Sequence, residues 1–178
     1  MSDPRSDQQL LTAMNAGGPG AAAAFEALYL RYRDWVVALA YRATNDRDLA
    51  LDVMQETFLY LLRRTPGLEL TASFKTFLYP AVRHLAITAS QKRGRLVSDD
   101  EVLETIPATN PAGPSDLTAV LAGLPAGQRE VLILRFVDDL SLAQIALALG
   151  VPLGTVKSRL HQALASLRAN PHTKSHFE

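Results

Sequence analysis

Two short amphipathic segments joined through one glycine, residues 140–167, constrain the fold of this chain more than any other stretch. Ser141 is a strong N-cap candidate, and Leu142, Ile145, Ala146 and Leu149 follow at helical spacing. Gly150 predicts the end of that helix, because the C′ position takes a left-handed conformation that glycine adopts at no cost. Pro152 fits the first turn of a second helix, where its missing N–H has no intrahelical partner. In that second helix Val156, Leu160, Ala163, Leu164 and Leu167 share one face. Thr155, Lys157, Ser158, Arg159, His161 and Gln162 fall on or near the other. Ala143 and Ala146 leave room for the two helices to approach closely.

This layout fits a helix-turn-helix, whose second helix presents its N-terminal residues to base edges in the major groove. It also fits an ordinary αα-hairpin with a solvated polar face, and pattern alone leaves both open. Charge favours the first. No acid occurs from Thr155 to Arg168, while Lys157 and Arg159 suit phosphate or guanine contacts.

The rest of the chain predicts an all-α protein. Its 178 residues suit one or two small domains. Ala and Leu dominate the apolar half, which favours helix, and neither strand alternation nor an internal repeat is visible. The expected architecture is two small helical bundles joined by an acidic flexible linker, the C-terminal bundle containing the helix-turn-helix. The boundaries read as 1–94 for the first bundle, 95–116 for the linker, 117–170 for the second bundle and 171–178 for a tail.

Taken in order, residues 7–14 predict a short helix, followed by a flexible Asn-Ala-Gly-Gly-Pro-Gly spacer. From Ala21 to Ala43, Phe25, Leu28, Tyr29, Tyr32, Trp35, Val36, Leu39 and Ala40 recur at three and four. Asp46 predicts the cap of a helix from Arg47 to Arg64, with Leu49, Ala50, Val53, Met54, Thr57, Phe58, Leu61 and Leu62 inward and Thr65-Pro66-Gly67 ending it. A further helix runs over about 72–92, capped by Thr71 and kinked or loosened by Pro80. It ends in the basic cluster Gln91-Lys92-Arg93-Gly94-Arg95, either a solvated helix end or a contact to a nucleic-acid backbone. Prolines and acids then mark the linker, and Ser115 or Asp116 caps a short helix up to Gly123. Gln128 to Val137 predicts another helix, packed through Val131, Leu132, Leu134 and Arg135-Phe136 and broken by Asp138-Asp139.

Composition excludes several classes of function. There is no Cys, which removes disulfides, a Cys-ligated zinc and a thiol nucleophile, and points to a cytoplasmic setting. No run of about 18 apolar residues exists, so no membrane insertion is expected. The polar start, MSDPRSDQQ, is unlike a signal peptide. Residues 1–94 carry eleven basic and nine acidic side chains, residues 95–120 one and five, and residues 121–178 six and four. The flanks are therefore mildly basic around an acidic middle that has the charge of a nucleic-acid mimic. Affinity for DNA from such a chain alone should be weak, since phosphate neutralisation supplies most of it. No phosphate-binding loop, dinucleotide fingerprint, H-E-x-x-H motif or nucleophile–base pairing is present, so neither catalysis nor a cofactor is expected. His172 and His176 stand at i,i+4, but without a third ligand they predict no metal site.

With these residues in view, the chain resembles the extracytoplasmic-function sigma factors of bacterial RNA polymerase, over about 21–94 and 118–168. Leu124-Pro125, Gln128-Arg129-Glu130-Val131-Leu132, Leu134-Arg135-Phe136, Leu140-Ser141, Ile145-Ala146, Leu149-Gly150-Val151 and Gly154-Thr155-Val156-Lys157-Ser158-Arg159-Leu160 sit at the spacing of the family's fourth region, which reads the −35 promoter element. The resemblance implies that role for Thr155, Lys157, Ser158, Arg159, His161 and Gln162. Phe25, Leu28 and Tyr32 match the family's opening helix. Asp52, Gln55 and Phe58 match its Asp-x-x-Gln-x-x-Phe helix, which implies that Asp52, Gln55, Glu56 and Leu59 bind core polymerase at the β′ clamp, with the β flap as a second polymerase contact. Phe74-Lys75-Thr76-Phe77-Leu78-Tyr79 and Val82-Arg83-His84 fall where the family melts and holds the −10 element.

Strand capture is then implied for Arg63, Arg64, Phe74, Lys75, Phe77, Tyr79, Arg83, Lys92 and Arg93, since flipped bases need aromatic pockets and backbone cations. The loop from Arg63 to Ser73 would capture a base; Phe74 and Leu78 also fit a core stripe. Promoter DNA, core polymerase and an anti-sigma factor are the implied partners. The chain departs from the family at Phe77, Pro80, His84, Gln144 and Gln162, which bears on promoter preference and melting rather than on the core. A stand-alone helix-turn-helix regulator and a sigma-like decoy for an anti-sigma factor are the alternative readings.

Overall fold

The computed structural model describes residues 3–93 and 121–169, and among them the chain forms seven helices and no strand. The expected linker, the cap at Ser115 or Asp116, Gly94-Arg95 of the basic cluster, and the tail with His172 and His176 lie outside the described residues. The chain divides into two compact units, Met1–Arg95 and Leu96–Glu178.

In the first unit, α1 (Asp7–Ala16) begins with a capping box in which Ser6 accepts from Gln9 N and the Gln9 side chain accepts from Ser6 N. The expected spacer shrinks to Gly17-Gly18, because Pro19 is preorganised for the first position of α2 (Pro19–Thr44). Asp7 ties the two helices together: its carboxylate accepts from Arg31 Nη1 and from the Tyr32 hydroxyl. Helix α3 (Arg47–Arg64) starts where expected, with Asp46 accepting from Asp48 N and Leu49 N, both at 3.0 Å.

Helix α4 (Phe74–Lys92) starts later than Thr71. Ser73 is its cap, accepting from Thr76 N at 3.2 Å. The helix runs on through Pro80, which is exposed.

Helix α2 packs on α1, α3 and α4, and α3 packs on α4. The core between them holds Leu28, Val36, Ala50, Leu61, Phe74, Leu78 and Val82, all without solvent exposure. Each such Leu or Phe stabilises the fold by about 1.5–3 kcal/mol. Aromatic edges knit it: Tyr29 meets Phe58 at 4.9 Å between centroids and Tyr32 meets Phe74 at 4.8 Å. Leu62, expected inward, is 41% exposed, because the helix turns it past the buried Phe58–Leu61 face.

The second unit comprises α5 (Ala126–Phe136), α6 (Leu142–Leu149) and α7 (Leu153–Ala169), each packed on the other two. Leu124, Leu132, Ala163 and Leu167 form a core cluster, backed by Leu121, Leu160 and Leu164. Helix α5 starts two residues before Gln128, and Phe136, expected in its packing face, is 64% exposed. Its partner Arg135 turns in, donating to Leu140 O at 3.0 Å and bracing the turn through Asp139 at φ 57°. Buried Arg129 likewise donates to Ala122 O and Leu124 O, and so serves the fold; Glu130 is buried as well. Ser141 and Gln144 form a complete capping box, so Gln144 meets the backbone need a Glu would meet. Gly150 is left-handed at φ 64°, ψ 32°, as predicted. Ala143 is exposed, and the small residue buried in α6 is Ala148.

Candidate nucleic-acid interface

Helix α3 carries two opposite faces. Val53, Met54, Thr57, Phe58 and Leu61 are buried, which leaves Asp52, Gln55, Glu56 and Leu59 together on the outside. Leu51 and Leu62, 39% and 41% exposed, extend that face with apolar surface that helical spacing had assigned no role or an inward one. Acids beside exposed leucines offer charge and apolar contact to the same partner surface. Glu56 lies 3.9 Å from Arg63, a distance and exposure that leave both available.

A groove of about 500 Å³ separates α3 from α4, with Tyr60, Arg63, Arg64, Phe77, Pro80 and His84 among its walls. Phe77 stacks on Tyr60 at 5.9 Å between centroids and 20° between planes. Arg64 closes on the same ring, its Nε donating to Tyr60 Oη at 3.1 Å with Cζ 5.4 Å from the centroid. An aromatic pair under a guanidinium is a platform for a stacked base. Tyr60 and His84 were absent from the predicted strand-holding set; Tyr60 shares a helix face with Arg63 and Arg64, the one signal available for it.

Other predicted residues fall elsewhere. Phe74 is fully buried and Tyr79 is 3% exposed. Both are core, because they share the inward stripe of α4 with Leu78 and Val82, and neither can stack a base. Lys75 lies over the Trp35 ring at 5.7 Å. Arg83 is partly buried, and Lys92 and Arg93 are exposed. Arg93 is held by Asp46, Nη1 to Oδ2 at 3.0 Å. A second groove of about 340 Å³ along α3 and α4 places Asp52 and Glu56 beside Lys92 and Arg93. Arg63 and Arg64 remain helical, so the loop that follows is residues 65–73.

In the second unit α6, Gly150 and α7 form the helix-turn-helix. Lys157, Ser158, His161 and Gln162 are exposed, and Thr155 and Arg159 partly buried. The set divides. Gln162 accepts from Gln128 Nε2 at 3.2 Å, and the Arg159 guanidinium lies against Gly127, so both lean on the first turn of α5. Ser158 and His161 point away from the core. Among the described residues no group of three or more acids or histidines is arranged to hold a metal ion. Among the described residues no helix is long and apolar enough to cross a membrane.

Known proteins match both units. The model for sigma-70 region 2 covers residues 28–96 and that for sigma-70 region 4 covers residues 115–167. SigE of Mycolicibacterium smegmatis, an ECF RNA polymerase sigma factor, is 30% identical over 163 residues, 85% of this chain. The chain spans 63% of the length of SigE. SigV of Bacillus subtilis, an RNA polymerase sigma factor, is 32% identical over 133 residues, 73% of this chain and 80% of that protein. The sigma factor RpoE of Bartonella quintana, solved with the anti-sigma factor NepR, aligns at a TM-score of 0.60 and 28% identity, covering 81% of this chain and 94% of its own. With sigma-70 regions 2 and 4 following one another along the chain, the protein belongs to the extracytoplasmic-function sigma factors of bacterial RNA polymerase, a family of transcription initiation factors rather than enzymes.

Proposed function

We propose how this sigma factor divides its work between its two units. Residues 1–94 bind core polymerase at the β′ clamp through Asp52, Gln55, Glu56 and Leu59, joined by Leu51 and Leu62. The same unit melts and holds the −10 element, using the Tyr60–Phe77 platform, the cations Arg63, Arg64, Lys75, Arg83, Lys92 and Arg93, and loop 65–73 to capture a flipped base. Residues 117–170 read the −35 element, with Lys157, Ser158 and His161 outermost and Thr155, Arg159 and Gln162 along the α5 side; the β flap is this unit's contact on polymerase. Residues 95–116 are the linker in this proposal.

The observation that best supports this reading is the outer face of α3. Acids and leucines stand exposed together there, on the opposite side from a fully packed core. A chain with no net charge has little affinity for DNA by itself, so polymerase must supply the remainder. RpoE of Bartonella quintana was solved with an anti-sigma factor. A partner of that kind, covering the polymerase-binding face in the cytoplasm, is part of the proposal.

The test is transcription in vitro with core polymerase on a library of randomised promoters. The reading expects transcripts from a subset sharing −35 and −10 motifs, dependent on added sigma factor. Transcription indifferent to this chain, or DNA binding by it as strong without polymerase as with it, contradicts the reading.

A further inference from the structure

We infer that Asn15 is a positioning residue for loop 65–73, holding the loop in the shape that captures a base; the inference rests on the base-capture reading above. Asn15 sits in the last turn of α1. Its Nδ2 donates to Leu68 O at 2.8 Å, and its Oδ1 accepts from Gly67 N at 3.0 Å. One side-chain amide thus satisfies a donor and an acceptor on consecutive loop residues, as a neighbouring strand would. The contact closes 52 and 53 residues of sequence.

The loop needs such a brace. Its first residue is tied to α3, Thr65 N donating to Leu61 O and Leu62 O, and Ser73 at its far end caps α4. Between these points Gly67 stands at φ 110°, a conformation that L side chains rarely adopt. The brace itself is fixed. Leu10 and Leu11 of α1 are fully buried, and Asp7 anchors the start of the helix to Arg31 and Tyr32. Asn15 is therefore mounted on a rigid element and reaches the loop that joins α3 to α4, the arrangement by which a remote residue sets the precision of a loop.

The test uses holoenzyme built from core polymerase and the full chain, with a promoter selected from a randomised library by the unsubstituted protein. In the free sigma factor, Asn15→Ala is expected to speed amide hydrogen exchange at Gly67 by about tenfold. In holoenzyme it is expected to lower discrimination among bases at the −10 position read by the loop by a similar factor, with core affinity unchanged. Asn15→Asp keeps the acceptor for Gly67 and is expected to recover part of both. Unchanged exchange at Gly67 overturns the inference. So does unchanged discrimination, provided that replacing residues 65–73 with a Gly-Ser linker abolishes it. If neither variant alters discrimination, the base-capture reading fails and the inference falls with it.

Discussion

The guanidinium of Arg159, on helix α7, lies against Gly127 in the first turn of α5: a Cβ on that glycine would stand 3.0 Å from Arg159 Cζ and 3.1 Å from Nη1. Gly127 therefore leaves the space in which the Arg159 guanidinium sits, an arginine that the proposed function sets against DNA. Gln128 and Gln162 hydrogen-bond beside it. The side of α7 nearest α5 is thus held by contacts to that helix, whereas Ser158 and His161 are exposed.

Arg159→Ala and Gly127→Ala should separate placement from folding. Arg159→Ala is expected to cost no more than about 1 kcal/mol of thermal stability, the packing of a partly buried side chain, and to weaken promoter binding by holoenzyme by about 1–3 kcal/mol. Gly127→Ala should gain up to about 1 kcal/mol of helix propensity, since the group it displaces is the far end of a flexible side chain. It should still perturb promoter affinity, because Arg159 must move. Thermal melts and binding of promoter fragments measure both; a Gly127→Ala protein with unaltered affinity shows that Arg159 works from another position.

The outer face of α3 predicts a variant that folds but fails to assemble. Asp52 and Gln55 are exposed, so the Asp52→Ala, Gln55→Ala double variant should stay within about 0.5 kcal/mol of the parent in denaturant melts. It should lose most core polymerase in co-purification. Full retention of polymerase would place the docking surface elsewhere.

Asp46 carries two jobs, and they differ in weight. It caps α3 through two backbone N–H groups and pairs with Arg93 at 3.0 Å. Asp46→Ala should cost about 1–2 kcal/mol, dominated by the cap. Arg93→Ala should cost under about 1 kcal/mol, because Arg93 is half exposed and solvent screens the pair. Urea melts order the two; equal losses would mean that the ion pair outweighs the cap.

Tyr32 sets an alkaline limit on the first unit. Burial, and then donation of its hydroxyl to Asp7, push its pKa well above the ordinary tyrosine value. An unfolded chain releases that proton near pH 10, and the native chain retains it to higher pH. The contribution to stability is therefore complete below pH about 10 and is lost as pH rises beyond it. Tyr32→Phe should flatten the decline above pH 10 in equilibrium melts, and an unchanged slope would show that another group governs it.

Local rules were enough for much of this. Asp46, Ser141 and Gly150 act on neighbours within four residues, so their roles could be read from spacing, as could the buried face of α3. Contacts between distant segments could not. Nothing around Asn15 signals a bond to residues more than 50 positions away. Phe136 and Leu62 are apolar at helical spacing yet exposed, since the neighbours that decide burial belong to other helices. Tyr79 erred in the other direction: a motif placed it among strand-holding residues, and packing on α4 buried it.

Pro80 is the remaining departure with a measurable consequence. It lies seven residues into α4, so the Thr76 carbonyl lacks its N–H donor and faces the pyrrolidine ring. Proline at such a site also restricts the unfolded chain, an opposing gain of about 0.4–1 kcal/mol. The lost hydrogen bond and ring clash, about 3 kcal/mol in a helix interior, outweigh that gain. Pro80→Ala is therefore expected to raise stability by about 2–2.6 kcal/mol in thermal melts. Pro80 also walls the groove with Phe77 and His84, so the same variant should alter transcription from a duplex promoter more than from one whose −10 element is already unpaired. A Pro80→Ala protein that melts earlier than the parent would show that α4 has settled around the ring.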